Sequence, residues 1–564
     1  MSHGPSLALD ISPMDHDKLR GGFYTSASIA NWLCGWAIRT AQDSVLEPSC
    51  GDGVFLCAAV GSLRKLGTDN KAISSQLAGI ELFPSEVEKS RNRLTSLVGE
   101  IKDNIHCGDF FHWALQNIDR KYNCVVGNPP FIRYQNFPEP SRSRAMSIMR
   151  QAGLSPNKLT NIWVPFVVAA TNLLLPGGRL ALVLPAELLQ VSYAAQLRAF
   201  LVEQFESINI VACNQMIFER AEQEVVLFLA DGRKSVNSPE IPCSINLWEA
   251  EDVEKIIATD LLSIEIQRDR KIVNHDNEKW LKYFLTQSEI ALMRELRESS
   301  LSLELKHYAK VDVGVVTGKN EFFVLSKNDI NLYKLDNYTI PLIGRACQLK
   351  GAIIDREEYL LLAEEGHKVF LFYPRPLLNN GLSFDAKRYI AAGEKRGFNL
   401  TYKCSVRSPW YIVPSVWNPD FFLFRQIYDF PRIVINRIDA TSTDTIHRLN
   451  CKIDKNLFIS NFYTHLTAAS SEIEGRSYGG GVLELEPTEA ERLLMPGAIG
   501  PGLDPMEIDH LIRAGRLDDV LLENDKRILI GGLGLSSEDC RTLRNIWVKM
   551  RNRRQSRKKR SKLN

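Results

Sequence analysis

The sequence lacks several signals that would place it in common functional classes. Its eleven cysteines contain no CxxC pair, so neither a zinc site nor a disulfide framework is signalled. Free thiols in that number suit a reducing cytoplasm. The N-terminus has no basic stretch followed by an apolar core, so no secretory signal is expected. No internal repeat occurs, and the only compositionally biased tract is the basic C-terminus. Charge is missing from one long segment, between Lys158 and Arg179. A membrane span is excluded there because the segment holds Asn161, Pro165, Asn172 and Pro176-Gly177-Gly178. It reads instead as a buried helix, a glycine turn and a strand.

What remains is ordinary globular composition, 45% hydrophobic and 24% charged over 564 residues, enough for two or more domains. Net charge is +2, unevenly spread. The last sixteen residues, "KMRNRRQSRKKRSKLN", hold nine Lys or Arg and no acid. Without them sixty basic residues face 67 acidic ones, a net charge of −7. A mildly acidic body with a basic arm predicts a polyanionic partner or a solvated end.

From Thr25 to Ala230 strand-like runs alternate with helical patterns. The runs are "SVLE" (44–47), "LAGIEL" (77–82), "NCVVGN" (123–128), "RLALVLP" (179–185), "SINIVA" (207–212) and "EVVLFLA" (224–230). This alternation predicts an α/β fold with a parallel sheet covered on both faces, and a ligand at the carboxyl ends of the strands. After Lys234 the chain is richer in aromatics and prolines, as in "SPWYIVPSVWNPDFFLF", and predicts a separate α+β module.

The motifs fall at those strand ends. "LEPSCGDGVFL" (46–56) is neither GxGxxG nor a P-loop. Gly51 and Gly53 allow a tight turn ahead of a helix, while Glu47 and Asp52 disfavour a pyrophosphate and suit a cationic ligand such as S-adenosylmethionine. Glu81 closes the next strand, where a carboxylate can accept two ribose hydroxyls. "CGDFF" (107–111) places Asp109 to accept from an adenine amino group and Phe110 to pack on its face.

"NPPF" (128–131) closes the following strand. An amino group conjugated to an aromatic ring is a poor nucleophile. The Asn128 side-chain oxygen and the Pro129 carbonyl can accept its two N–H groups and free the nitrogen lone pair. Pro129 and Pro130 hold those acceptors rigid. Phe131 offers a stacking face, and a base presented this way has left the duplex.

On "GGFYTSASIANWL" (21–33), "EPSCGDG", "GIEL", "GDFF", "NPPF", "NIWVPFVVAATNLLLPGGRLALVLP" and "IFERAEQEVVLFLA", the first 235 residues resemble the gamma-class N6-adenine DNA methyltransferases of type II restriction–modification systems. The resemblance implies a Rossmann-like class I S-adenosylmethionine-dependent methyltransferase domain (1–235). A DNA target-recognition domain (236–545) and a basic tail (546–564) follow. It implies cofactor contacts from Tyr24, Thr25, Glu47, Ser49, Gly51, Gly53, Glu81, Leu82, Asp109, Phe110 and Phe166. Phe218 would stack on the base opposite Phe131. Two departures stand out: Ser26 replaces the usual proline, and Phe131 the more frequent tyrosine.

The later module resembles the family's recognition domains through "GVVTGKNEFFVL", "IPLIGR" and "STDTIHR", which puts Lys319, Asn320, Arg345, Arg437 and His447 forward as DNA contacts. Double-stranded DNA, a cognate restriction endonuclease and a cytoplasmic location are implied, with no membrane partner. The alternatives are RNA or cytosine-N4 methylation, glutamine methylation of release factors, which needs no long recognition domain, and a non-catalytic recognition subunit. A fused nuclease is not expected, because the Tyr24-Thr25 element begins so early.

Overall fold

The computed structural model describes residues 25–99, 104–213, 224–235, 241–259, 271–273, 278–374, 381–478, 480–498 and 500–556. Tyr24, Phe218 and the last eight residues lie outside them. The chain forms two compact units, one ending at Gln287 and one beginning at Ser288.

The first unit is built on one nine-stranded sheet. Its strands are β1 (Val45–Glu47), β2 (Leu77–Glu81), β3 (Ile105–Cys107), β4 (Tyr122–Gly127), β5 (Leu174–Pro185), β6 (Phe205–Cys213), β7 (Val225–Arg233), β8 (Ser244–Ala250) and β9 (Lys271–Ile272). Their order is β3-β2-β1-β4-β5-β7-β6-β8-β9. β1 pairs in parallel with β2 and β4, and β4 with β5. β7 runs antiparallel between β5 and β6. Every residue of β1 and β2 is buried, as strands covered on both faces require. The covering helices include α1 (Ala27–Ala37), α2 (Val54–Lys65), α3 (Asn70–Gln76), α4 (Pro84–Val98), α5 (Phe110–Gln116), α6 (Ser141–Gln151), α7 (Trp163–Asn172) and α8 (Ala195–Gln204).

The uncharged segment forms α7, buried at nine of its ten positions, and then β5. At about 1.5 Å per residue α7 is far too short to cross a bilayer. Among the described residues no helix is long and apolar enough to do so.

Two expected boundaries move. The first unit does not stop at 235, because β8 pairs in parallel with β6 over Ser207–Cys213 and extends the sheet. Residues 546–556 are not part of a free arm either. A helix runs from Ser537 to Ser556 and buries Trp547, Met550 and Arg554. Arg554 is 2% exposed and pairs with Glu472 at 2.6 Å, while its Nη1 donates to the Tyr428 carbonyl at 3.0 Å.

The second unit is α+β, as expected. A five-stranded sheet contains Ala309–Asp312, Ile446–Cys451, Phe421–Phe424, Ile433–Asn436 and Ile353–Ile354, neighbours in that order. A smaller four-stranded sheet pairs Val324–Leu325, Phe370–Phe372, Thr339–Ile343 and Thr441–Ser442. The helix His465–Glu474 is buried along its whole length and packs on Ser537–Ser556. His447, put forward as a DNA contact, is fully buried and bonds the Leu485 carbonyl at 2.6 Å, which takes it out of reach of DNA.

Candidate active site

The turn after β1 is held in place by β2. The Cys50 N–H donates to the Ile80 carbonyl (2.9 Å), and the Gly51 N–H to Glu81 Oε2 (2.8 Å). Gly53 has φ +86° and caps α2, and a Cβ there would come within 2.5 Å of Ser90 Oγ, so only glycine fits. Glu47 ends β1 at 1% exposure, and its Oε2 has no hydrogen-bond partner among the described residues. Burial pushes its carboxyl well above the usual carboxylate range. A bond from the Leu56 N–H opposes this, and the charges of Glu81 and Asp52 add to it.

Glu81 closes β2. Its Oε2 accepts from Gly51 and its Oε1 from the Phe83 N–H at 2.9 Å. The carboxylate is therefore fixed, with a further lone-pair site on each oxygen. Asp109 caps α5, with Oδ1 accepting from the His112 N–H at 2.7 Å and Arg144 Nη1 3.8 Å away. Phe110 begins that helix and stacks on Phe166 of α7, with centroids 5.0 Å apart at 23°.

β4 ends at Gly127, whose φ of +149° is open to glycine but disfavoured for other residues. Asn128 follows. Its Nδ2 donates to Thr25 Oγ1 at 3.3 Å, and its carbonyl accepts from Ser49 Oγ at 3.1 Å. The tip of β4 is thus tied to the start of α1 and to the turn after β1, three segments distant in sequence.

These strand ends surround one cavity of about 170 Å³. Of the residues expected at a cofactor site, Thr25, Glu47, Ser49, Gly51, Glu81, Leu82, Asp109, Phe110 and Phe166 line it, and so do Asn128 and Pro130. Gly53 shapes the turn without lining the cavity. Pro129 and Phe131 do not line it either, and Phe131 packs on the hydrophobic core of the unit. The sequence reading missed Phe83, Glu86, Ile132 and Phe137. Phe83 directly follows the "GIEL" strand end, which is the one signal that marked it.

The wall holds five carboxyl groups, from Glu47, Asp52, Glu81, Glu86 and Asp109, and no Lys or Arg. Such a site repels phosphates and attracts a ligand carrying positive charge and hydroxyl or amino donors. Asp52 pairs with Arg93 at 2.9 Å, so its charge is partly met. The buried Glu47 oxygen, the fixed Glu81 carboxylate and the aromatic Phe110 edge together fit the ammonium, ribose and adenine of S-adenosylmethionine. No cluster of three or more metal-ligating side chains occurs among the described residues.

The family described as N-6 DNA Methylase matches residues 12–313, and the one described as Type II methyltransferase M.Eco57I, C-terminal domain, matches 277–529. Type II methyltransferase M.AccI of Acinetobacter calcoaceticus is 23% identical over 497 residues, covering 86% of each chain. M.XamI of Xanthomonas campestris pv. amaranthicola is 21% identical over 505 residues, 88% of each. Among solved structures, the type IIL restriction-modification enzyme MmeI in complex with DNA shares the fold at a TM-score of 0.53 and 12% identity, over 93% of this chain and 75% of that one.

Proposed function

Because the chain belongs to the N-6 DNA methylase family, we propose that it methylates the N6 amino group of an adenine at a specific site in double-stranded DNA, as the modification enzyme of a restriction–modification system. The observation that carries the reading is the position of Asn128. It stands at the end of a central strand, on the rim of an acidic cavity, bonded to Thr25.

S-adenosylmethionine supplies an electrophilic methyl group on a positively charged sulfur. In this reading Glu81 accepts the ribose hydroxyls, Glu47 faces the ammonium, and Asp109 with Phe110 holds the adenine. Asn128 Oδ1 and the Pro129 carbonyl accept the two N–H groups of the target amine, which localises the nitrogen lone pair. A nitrogen–carbon bond forms as the sulfur–carbon bond breaks, and the nitrogen gives up one proton to solvent. N6-methyladenine and S-adenosylhomocysteine are the products.

The base reaches this rim only after leaving the helix. Phe131 packs on the core, and Phe218 lies outside the described residues. Asn128 and Pro129 are the groups proposed to hold the base at its reacting edge. The second unit supplies target recognition in this reading, and a cognate endonuclease would cut the unmodified site.

The test is incubation of purified chain with duplex DNA and methyl-labelled S-adenosylmethionine, followed by nucleoside chromatography. Label in N6-methyldeoxyadenosine is expected. Label in N4-methyldeoxycytidine, or transfer only to RNA, overturns the reading.

A further inference from the structure

The second unit carries an exposed apolar patch that the methyl-transfer chemistry does not use. Leu400, Tyr402 and Val406 are 76%, 77% and 69% exposed. Leu400 and Tyr402 lie on two consecutive short helical turns, Phe398–Leu400 and Tyr402–Ser405, and Val406 directly follows the second. Large apolar side chains grouped in this way on a surface mark an interaction site rather than a face turned only to water.

The patch stands on a rigid base. Phe398 and Cys404 are buried in an aromatic cluster where Phe322 stacks on Tyr389 (centroids 4.7 Å, 13°). Arg407 donates to the carbonyls of Thr317 and Val316, each at 2.7 Å. Gly318 approaches so closely that a Cβ there would lie 2.7 Å from Lys403 Cβ. The turn at 316–319 and the segment 398–407 therefore form one surface.

Positive charge is concentrated in this stretch of the chain. Residues 384–407 hold six Lys or Arg and two Asp or Glu. Lys403 Nζ lies 5.7 Å from the Tyr402 ring, and Lys319 Nζ 5.0 Å from that of Phe398. Some of this charge is met locally: Glu321 pairs with Lys319 (3.3 Å) and with Arg396, and Asp385 with Arg388 (3.2 Å). Lys387, Lys395 and Lys403 appear in no salt bridge among the described residues. Apolar and aromatic tips flanked by Lys403 and Lys319 complement a surface that is anionic at its edge and apolar within. A DNA groove has that form, with phosphates flanking thymine methyls and deoxyribose faces.

We infer that the surface formed by Leu400, Tyr402 and Val406 with Lys319 and Lys403 docks on the duplex that carries the target site, the lysines on phosphates and the apolar tips in a groove. The inference rests on the reading of the chain as a DNA methyltransferase and adds where the second unit touches its substrate.

The test uses the full chain. A combined Leu400→Ser, Tyr402→Ala, Val406→Ser variant changes only exposed side chains, and circular dichroism and cofactor affinity report that both units stay intact. Binding is measured at several salt concentrations on random duplex and on the sequence that the wild type methylates. The apolar variant should lose roughly tenfold of its preference for the methylated sequence, the cost of one or more base contacts, at an unchanged salt slope. Lys403→Ala should weaken both duplexes alike and lower the slope by about 0.9 per lost phosphate contact. An apolar variant with wild-type affinity and preference overturns the inference, and so does a change in oligomeric state at unchanged DNA binding. Wild-type chain that methylates no DNA would instead sink the function reading, whatever the variants do.

Discussion

The Gly51 N–H and the Glu81 carboxylate meet at 2.8 Å across thirty residues of chain. This bond makes the turn after β1 and the tip of β2 one unit, and it orients a carboxylate that lines the cavity. Glu81→Ala should weaken S-adenosylmethionine binding by about 1–3 kcal/mol, because donors buried with the ligand lose their acceptor. Isothermal titration measures it. Unchanged affinity would remove Glu81 from the site.

Glu47 gives the site a pH signature. Burial raises its carboxyl in the free protein, which favours a proton there that a bound ammonium would expel. Cofactor binding should release protons, and affinity should rise with pH through the raised value and level off above it. Calorimetry in buffers of different ionisation enthalpy counts the protons, and Glu47→Gln should abolish the release. For folding without ligand the sign reverses. The raised carboxyl contributes stability below its unfolded value, and that contribution is lost as pH rises through the folded one.

Asp43 behaves in the opposite way. Burial alone would raise it. The Arg39 N–H (2.8 Å), the Arg179 guanidinium (2.9 Å) and the Thr40 hydroxyl (2.9 Å) and N–H outweigh that and hold the carboxyl below the usual range. Its stabilisation is present above the unfolded value, about 3.9, and is lost as pH falls through the lower folded one. Asp43→Ala leaves Arg179 buried without its carboxylate and should cost about 3–5 kcal/mol in denaturant unfolding.

Much of the first unit was legible because parallel strands buried on both faces write continuous apolar runs, each ended by a chemically distinctive tip. The order of those tips located Glu47, Glu81, Asp109 and Asn128 around one cavity before any geometry was known. Phe131 is half-buried against the core, a contact that a ring after two prolines does not announce. β8 escaped notice because "SINLWEA" follows a change in composition, and its pairing with β6 is long-range. The buried Arg554 was hidden inside a run of identical charges, where composition cannot tell a paired side chain from a solvated one.

That hidden pair changes what truncation should do. Deleting residues 549–564 removes Arg554 from Glu472 and should destabilise the second unit by about 3–5 kcal/mol, the cost of a buried charge left without its partner. Deleting only 557–564 removes five positive charges beyond the helix. If these meet phosphates, the shorter deletion should weaken binding to all duplexes alike and flatten the salt dependence by about 0.9 per lost contact. Thermal unfolding of both truncations, with binding isotherms for the shorter, separates the two effects.

The most direct test of the account is single-molecule methylome sequencing of a methylation-free host expressing the wild-type chain or Asn128→Ala. Wild type should place N6-methyladenine at a single sequence motif throughout the genome. Asn128→Ala should leave no modified motif while the purified variant still binds S-adenosylmethionine. Methylcytosine in place of methyladenine, or an Asn128→Ala genome modified like wild type, would contradict it.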